Sequence, residues 1–218
     1  MKERKAIIFD FDGTLVNSAP GIMETIGTLM QEMGKAALTE EQMRACVGPP
    51  IHQFFPQMLR ILPEEMDDAV TRYRRIFKEN ALAKLHIFDG IAELLSDLKK
   101  RGLLLGIATC KLRSTTISQL KTLGIFDYFD EVSGADPDRN LFEKADILRE
   151  AVSNLQVQPE EALMVGDRKY DLIGANAHRV PAIGVLYGGC GTEEELLEHH
   201  PLHIAKDVPH LRQLLLEA

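Results

Sequence analysis

Five short, largely apolar runs, at residues 6–10, 103–109, 131–134, 162–166 and 182–186, recur between segments of helical periodicity. Unbroken apolar runs of this length suit strands buried on both faces of a parallel sheet, and strands that alternate with helices imply βαβ crossovers. The expected fold is α/β, a doubly wound parallel sheet of Rossmann-like type. Helical patterns at 91–101 and 144–155 lead into the second and fourth runs, and patterns at 170–178 and 208–216 follow the later ones. One segment breaks the alternation. Between about Ser18 and Leu85 there is no good strand, only helical stretches at 21–33, 40–45, 51–61 and 64–80, punctuated by Gly34, Gly48, Pro49, Pro50 and Pro63. An all-helical insert after the first strand sits over the crevice where open α/β sheets bind ligands, well placed to act as a lid. The division expected is a core of residues 1–16 and 86–218 and a helical cap of 17–85.

Composition narrows the partners. The 218 residues carry 25 Lys+Arg against 33 Asp+Glu, a formal net charge of −8, which argues against binding nucleic-acid phosphates or an anionic membrane. Hydrophobic content of 45% and charged content of 27% are those of an ordinary globular protein. The longest uncharged stretches are too short to span a bilayer. The first residues run from charges directly into a short strand, without the apolar region of a signal peptide, so a cytoplasmic location is expected, as monomer or homodimer. Cys46, Cys110 and Cys190 are odd in number and form no C-x-x-C, so neither a disulfide framework nor a thiolate zinc site is indicated.

The chemistry lies at the strand ends. Asp10 and Asp12 stand two residues apart just past the first run, and extended backbone lets both face the crevice. An EF-hand reading fails because Gly13 follows directly and the terminal Glu is absent. A purely structural reading, a strand end with an Asp-Gly turn, is available for this pair alone. The fourth run ends in Asp167, with Asp171 one turn into the next helix. Like charges about 4 Å apart repel by roughly 4 kcal/mol at an effective dielectric near 20, so such a cluster calls for a cation. Oxygen ligands without clustered His or Cys favour Mg²⁺. Thr109 ends the second run, with the amides of Cys110 and Lys111 beside it, and Lys144 begins a helix. Each alone reads as ordinary structure. With a carboxylate-bound cation, they form the clamp that phosphoryl transfer requires.

In this order the residues resemble the four motifs of the haloacid dehalogenase superfamily: DFDGTL at 10–15, the strand ending in Thr109, a basic residue at Lys144, and GDRKYD at 166–171. The insert resembles the small helical cap of the phosphoglycolate phosphatase-like branch. The resemblance implies Asp10 as nucleophile and Mg²⁺ ligand, and Asp12 as general acid/base with its carbonyl on the metal. It implies Asp167 as the second carboxylate ligand and Asp171 as the group that holds a metal-bound water or Lys144. Thr109, the Cys110 amide and Lys144 bind the phosphoryl oxygens. The expected reaction is Mg²⁺-dependent hydrolysis of a small phosphorylated metabolite through an aspartyl-phosphate, with phosphoglycolate favoured. The alternatives are a nucleoside 5′-monophosphate, sugar phosphate or pyrophosphate hydrolase, or a sugar phosphomutase, and outside enzymes a phosphate-ligand binding protein. Asp12 speaks against a dehalogenase, and Thr14 tilts away from the mutases, which tend to have Val there.

Weaker signals remain. Cys110 replaces the Asn or Ser of many relatives, either as a small residue at a tight strand end or as a thiol of lowered pKa open to oxidation. Lys144 lacks the proline that often follows it, with Arg139 the nearest substitute. In the cap, Gly48 and Gln53, with His52, are expected either to contact the non-phosphate end of the substrate from a helix N-terminus or to mark a simple helix start. The basic run Arg72, Arg74, Arg75 and Lys78 reads as a solvated face, and His199, His200 and His203 as a loop rather than a metal site.

Overall fold

The computed structural model describes residues 4–80 and 84–216, so residues 81–83 of the expected cap lie outside it. Strand β1 (Ala6–Phe9) is followed by a short strand β2 (Val16–Asn17). Helices α1 (Ala19–Glu32), α2 (Glu40–Ala45), α3 (Ile51–Gln57) and α4 (Met66–Asn80) come next. The chain returns through β3 (His86–Ile87), antiparallel to β2, and α5 (Ile91–Lys100). Then follow β4 (Leu104–Leu112), α6 (Arg113–Thr122), β5 (Glu131–Ala135), α7 (Lys144–Asn154) and β6 (Ala162–Gly166). The last elements are α8 (Lys169–Ala177), β7 (Ala182–Val185), α9 (Glu193–Leu197), β8 (His203–Ala205) and α10 (Val208–Leu216).

Six strands form one parallel sheet in the order β5-β4-β1-β6-β7-β8. This is the expected doubly wound α/β fold, enlarged by β8, which the sequence had assigned to a loop around His203. Period-two alternation sends neighbouring side chains to opposite faces. Ile7 and Phe9 join Leu105, Ile107, Leu163 and Val165 on one face, under α5 and α10. Ala6 and Ile8 join Ala108, Ala162 and Met164 on the other, under Ile147, Leu148 and Ala151 of α7 and Leu172 of α8. A fully buried side chain of this kind is worth roughly 1.5–3 kcal/mol, which explains why apolar runs alone specify the sheet. Because β4 and β6 flank β1 and the chain runs outward from there on both sides, the switch in strand order falls at the carboxyl end of β1.

The helices α1–α4 bury a separate cluster, with Ile22, Ile26 and Leu29 of α1 against Phe54, Phe55, Ile76 and Phe77. They rise from the β2–β3 pair as an all-helical cap inserted at the carboxyl end of β1. Helix α2 is fixed by a capping box, in which Gln42 N donates to Thr39 Oγ1 at 3.2 Å and Thr39 N to Gln42 Oε1 at 2.9 Å. Among the described residues no helix is long and apolar enough to cross a membrane.

Candidate active site

Four strand-end features converge where β1, β4 and β6 point their carboxyl ends. Asp10 N donates to Val165 O at 2.8 Å, so the sheet ladder carries Asp10 one residue past β1 and beside Asp167. The chain then turns sharply at Gly13, whose φ of +78° is left-handed and whose missing Cβ would lie 2.2 Å from Asp167 Oδ2. Only glycine lets the turn pass under that carboxylate. In β4 the register with β5 shifts between Thr109 and Leu112. This irregularity takes Cys110 and Lys111 out of the ladder and re-aims their backbone, as bulges next to sites do. Lys111 N donates to Thr109 Oγ1 at 3.2 Å.

Lys144, the first residue of α7, reaches in from below. Its Nζ donates to Asp10 Oδ1 at 2.7 Å and to Ala108 O at 3.0 Å, and lies 2.7 Å from Asp171 Oδ1. Asp171 Oδ2 in turn accepts from Arg168 N at 3.0 Å. Burial works against the Lys144 ammonium, but Asp10 and Asp171 outweigh it and hold its pKa well above the usual lysine value. Burial pushes Asp10 up to about 7, with Lys144 opposing and Asp171 adding to the rise. Burial also drives Asp167 well above the carboxylate range, reinforced by Asp171 and Asp10.

A second ammonium completes the set. Lys111 Nζ lies 2.7 and 3.0 Å from the two oxygens of Asp12. Asp10, Asp12, Asp167 and Asp171 are all buried; among the described residues Lys144 and Lys111 pair with them, while Arg168, whose charge reaches Asp167, is paired with Glu195. With all four carboxylates ionised, two negative charges would be in excess where little water can screen them, which is why burial favours the protonated forms of Asp10 and Asp167. Among the described residues both Asp167 oxygens lack a hydrogen-bond partner, and ligand oxygens of Asp10, Asp167 and Asp171 lie within 4.8 Å of one another. A buried carboxylate without a partner is costly unless something binds it. An all-oxygen donor set with a surplus of two charges fits a hard divalent cation.

The structure thus gathers Asp10, Asp12, Thr109, Lys144, Asp167 and Asp171 at one rim, with Cys110 adjoining. Arg139 pairs with Glu150 and stays outside. The cap residues lie elsewhere. His52 Nε2 is 2.8 Å from Glu143 Oε1 and Gln53 Nε2 donates to Glu143 Oε2 at 3.3 Å, so both face the core residue that precedes Lys144. Gly48, with φ of +103°, packs against Arg168, where an added Cβ would lie 2.7 Å from Cγ. The Arg168 guanidinium reaches the carbonyls of Val47 and Ala45 and pairs with Glu195 at 2.9 Å. Cys110 differs from the low-pKa expectation. Burial pushes its thiol up to about 12, and the nearby Lys144 only partly offsets this. His199, His200 and His203 gather no ligands, for the one potential metal cluster among the described residues is that of Asp10, Asp167 and Asp171. From the sequence the side chains of Glu143 and Arg168 had no role, and Lys111 figured only through its amide and as the neighbour of Cys110.

Comparison with known proteins agrees with this geometry. The haloacid dehalogenase-like hydrolase family matches residues 7–185. Tyrosine-protein kinase PtkA of Mycobacterium tuberculosis is 35% identical over 182 residues, which cover 84% of this chain and 62% of that protein, so the chain spans less than two thirds of that relative's length. A 5′-nucleotidase of Pseudomonas aeruginosa is 33% identical over 209 residues, covering 96% of this chain and 94% of the relative. The crystal structure of a predicted phosphatase from Clostridium acetobutylicum superposes with a TM-score of 0.94 at 33% identity, over 100% of both chains. The chain belongs to the haloacid dehalogenase-like hydrolase family.

Proposed function

We propose that the protein is a Mg²⁺-dependent phosphatase that hydrolyses a small phosphomonoester through an aspartyl-phosphate on Asp10. The observation that carries this reading is the Asp10 carboxylate itself, with one oxygen tied to Lys144 and the partnerless Asp167 carboxylate beside it. Asp10, Asp167 and the Asp12 carbonyl would hold the metal. Bound there, Mg²⁺ would neutralise charge on the phosphoryl oxygens and on the cluster.

The chain's own groups do the rest. An oxygen of Asp10 attacks phosphorus and the P–O bond to the leaving group breaks. Asp12 gives its proton to the leaving oxygen, then takes one from the water that attacks the aspartyl-phosphate and releases inorganic phosphate. The Thr109 hydroxyl and the Cys110 amide donate to the phosphoryl oxygens, and Lys144 offsets their charge. Asp171, with one oxygen paired to Lys144 and the other on Arg168 N, positions Lys144. Residues 17–85 act as the cap and 1–16 with 86–218 as the catalytic core.

Phosphoglycolate is the substrate favoured by the resemblance to its phosphatase branch. Nucleoside 5′-monophosphates follow, in line with the name of the Pseudomonas relative. A screen of phosphate esters for inorganic phosphate release, with Mg²⁺ and with EDTA, tests the reading. Release that needs Mg²⁺ and vanishes in Asp10→Asn supports it, whereas full activity in Asp10→Asn refutes it.

A further inference from the structure

Among the described residues, Lys111 is the cation of the site whose side chain the scheme above leaves without a task. Its Nζ touches both oxygens of Asp12, the group assigned to the leaving oxygen. On its flanks lie the ring of Phe11 from the core, 5.2 Å from the ammonium, and the ring of Phe77 from cap helix α4, 4.8 Å away. The ammonium therefore occupies the seam between core and cap, and its side chain is only 11% exposed. The other cations nearby are committed. Lys144 serves Asp10 and Asp171, Arg168 serves Glu195 and the Val47 carbonyl, and Arg44 serves Glu40 and the Gly189 carbonyl. Gln53, expected to read the far end of the substrate, is spent on Glu143.

We propose that Lys111 selects phosphate monoesters whose leaving group carries a second anion, a carboxylate or a further phosphate, close to the ester oxygen. This deepens the proposed function and rests on it. With phosphorus at Asp10, the leaving oxygen must pass Asp12, and whatever follows it enters the seam that Lys111 occupies. An ammonium has three donors and no acceptor, so it can serve Asp12 and a second anion together. Two aromatic faces hold it in place and exclude water, which strengthens each charged contact. A neutral sugar or nucleoside leaving group gives the ammonium nothing in return.

The test is calorimetric binding of two phosphonates in the presence of Mg²⁺. 3-Phosphonopropionate is phosphoglycolate with a methylene in place of the ester oxygen, and propylphosphonate is its counterpart without the carboxylate. The parent is expected to prefer the carboxylate ligand by about tenfold or more, a preference that Lys111→Met reduces to about twofold and Lys111→Arg largely keeps. A parent that binds both equally, or a Lys111→Met variant that loses affinity for both by the same factor, overturns the proposal. If the parent releases phosphate from esters while the two phosphonates bind alike, only the role of Lys111 falls. If no ester is hydrolysed, the phosphatase reading falls and this inference falls with it.

Discussion

Lys144 Nζ lies 2.7 Å from Asp10 Oδ1 and 2.7 Å from Asp171 Oδ1, so one buried ammonium ties the end of β1 to the first turn of α8. Removing one member of such a group strands the others without a counter-charge. Lys144→Met should lower kcat by about 10²–10³, the usual effect of deleting one electrostatic stabiliser. It should also destabilise the fold by roughly 3–5 kcal/mol, since the buried carboxylates lose their partner. Steady-state kinetics and urea unfolding at the same pH check both.

The raised acids link metal binding to pH. In the metal-free protein Asp10, held at about 7 by burial, keeps a proton that the unfolded chain loses near pH 4, and Asp167 is shifted in the same direction. The Asp10 contribution to stability is therefore full below about pH 4 and lost as pH rises through about 7, and that of Asp167 has the same sign. Mg²⁺ binding needs the deprotonated forms. The rise in Tm on adding Mg²⁺ should grow from about pH 5.5 to about pH 8, and Asp10→Asn should blunt that growth. Thermal melts with Mg²⁺ and with EDTA across this range check it.

The cap contacts give a contrasting expectation. Because Gln53 and His52 meet Glu143 rather than the carboxylate cluster, Gln53→Ala should change kcat/KM by a similar, less than about fivefold, factor for every ester tested. Glu143 is exposed and Gln53 only half-buried, so the cost to stability should be under about 1 kcal/mol. A kinetic series over several esters reads this out, and an effect confined to one ester would restore a specificity role for Gln53.

Cys110 should be a slow thiol. With its pKa pushed up to about 12 by burial, little thiolate exists at neutral pH. Peroxide should inactivate the parent and Cys110→Ser at rates within about twofold of each other, followed by residual phosphatase activity over time.

The parts of the fold legible in the sequence were those with one dominant physical signal. Short, largely apolar runs marked β1, β4, β5, β6 and β7, and acids at the ends of two of them marked the crevice. Strand β8 escaped because three residues, His203–Ala205, carry too little pattern, and its first side chain is exposed. Lys111 escaped for a different reason. A lysine after a strand end reads as solvated, and only the shift in register of β4 and the two flanking rings turn its ammonium toward Asp12. Gly48 and Gln53 were noticed for a helix start that the structure does show at Ile51, but which partners they meet depends on how the cap sits on the core. Arg72 and Arg75 lie on an exposed face, as expected of a solvated basic run, and pair there with Asp68, Glu32 and Glu79.

The proposed mechanism depends above all on the covalent role of Asp10. Enzyme turning over a substrate with Mg²⁺, quenched and reduced with borohydride, can be digested and mapped by mass spectrometry. An aspartyl-phosphate at the proposed position predicts reduction of the Asp10 side chain to the corresponding alcohol, in the presence of substrate only. Phosphate release with Asp10 unmodified, or reduction at Asp12 instead, would contradict it.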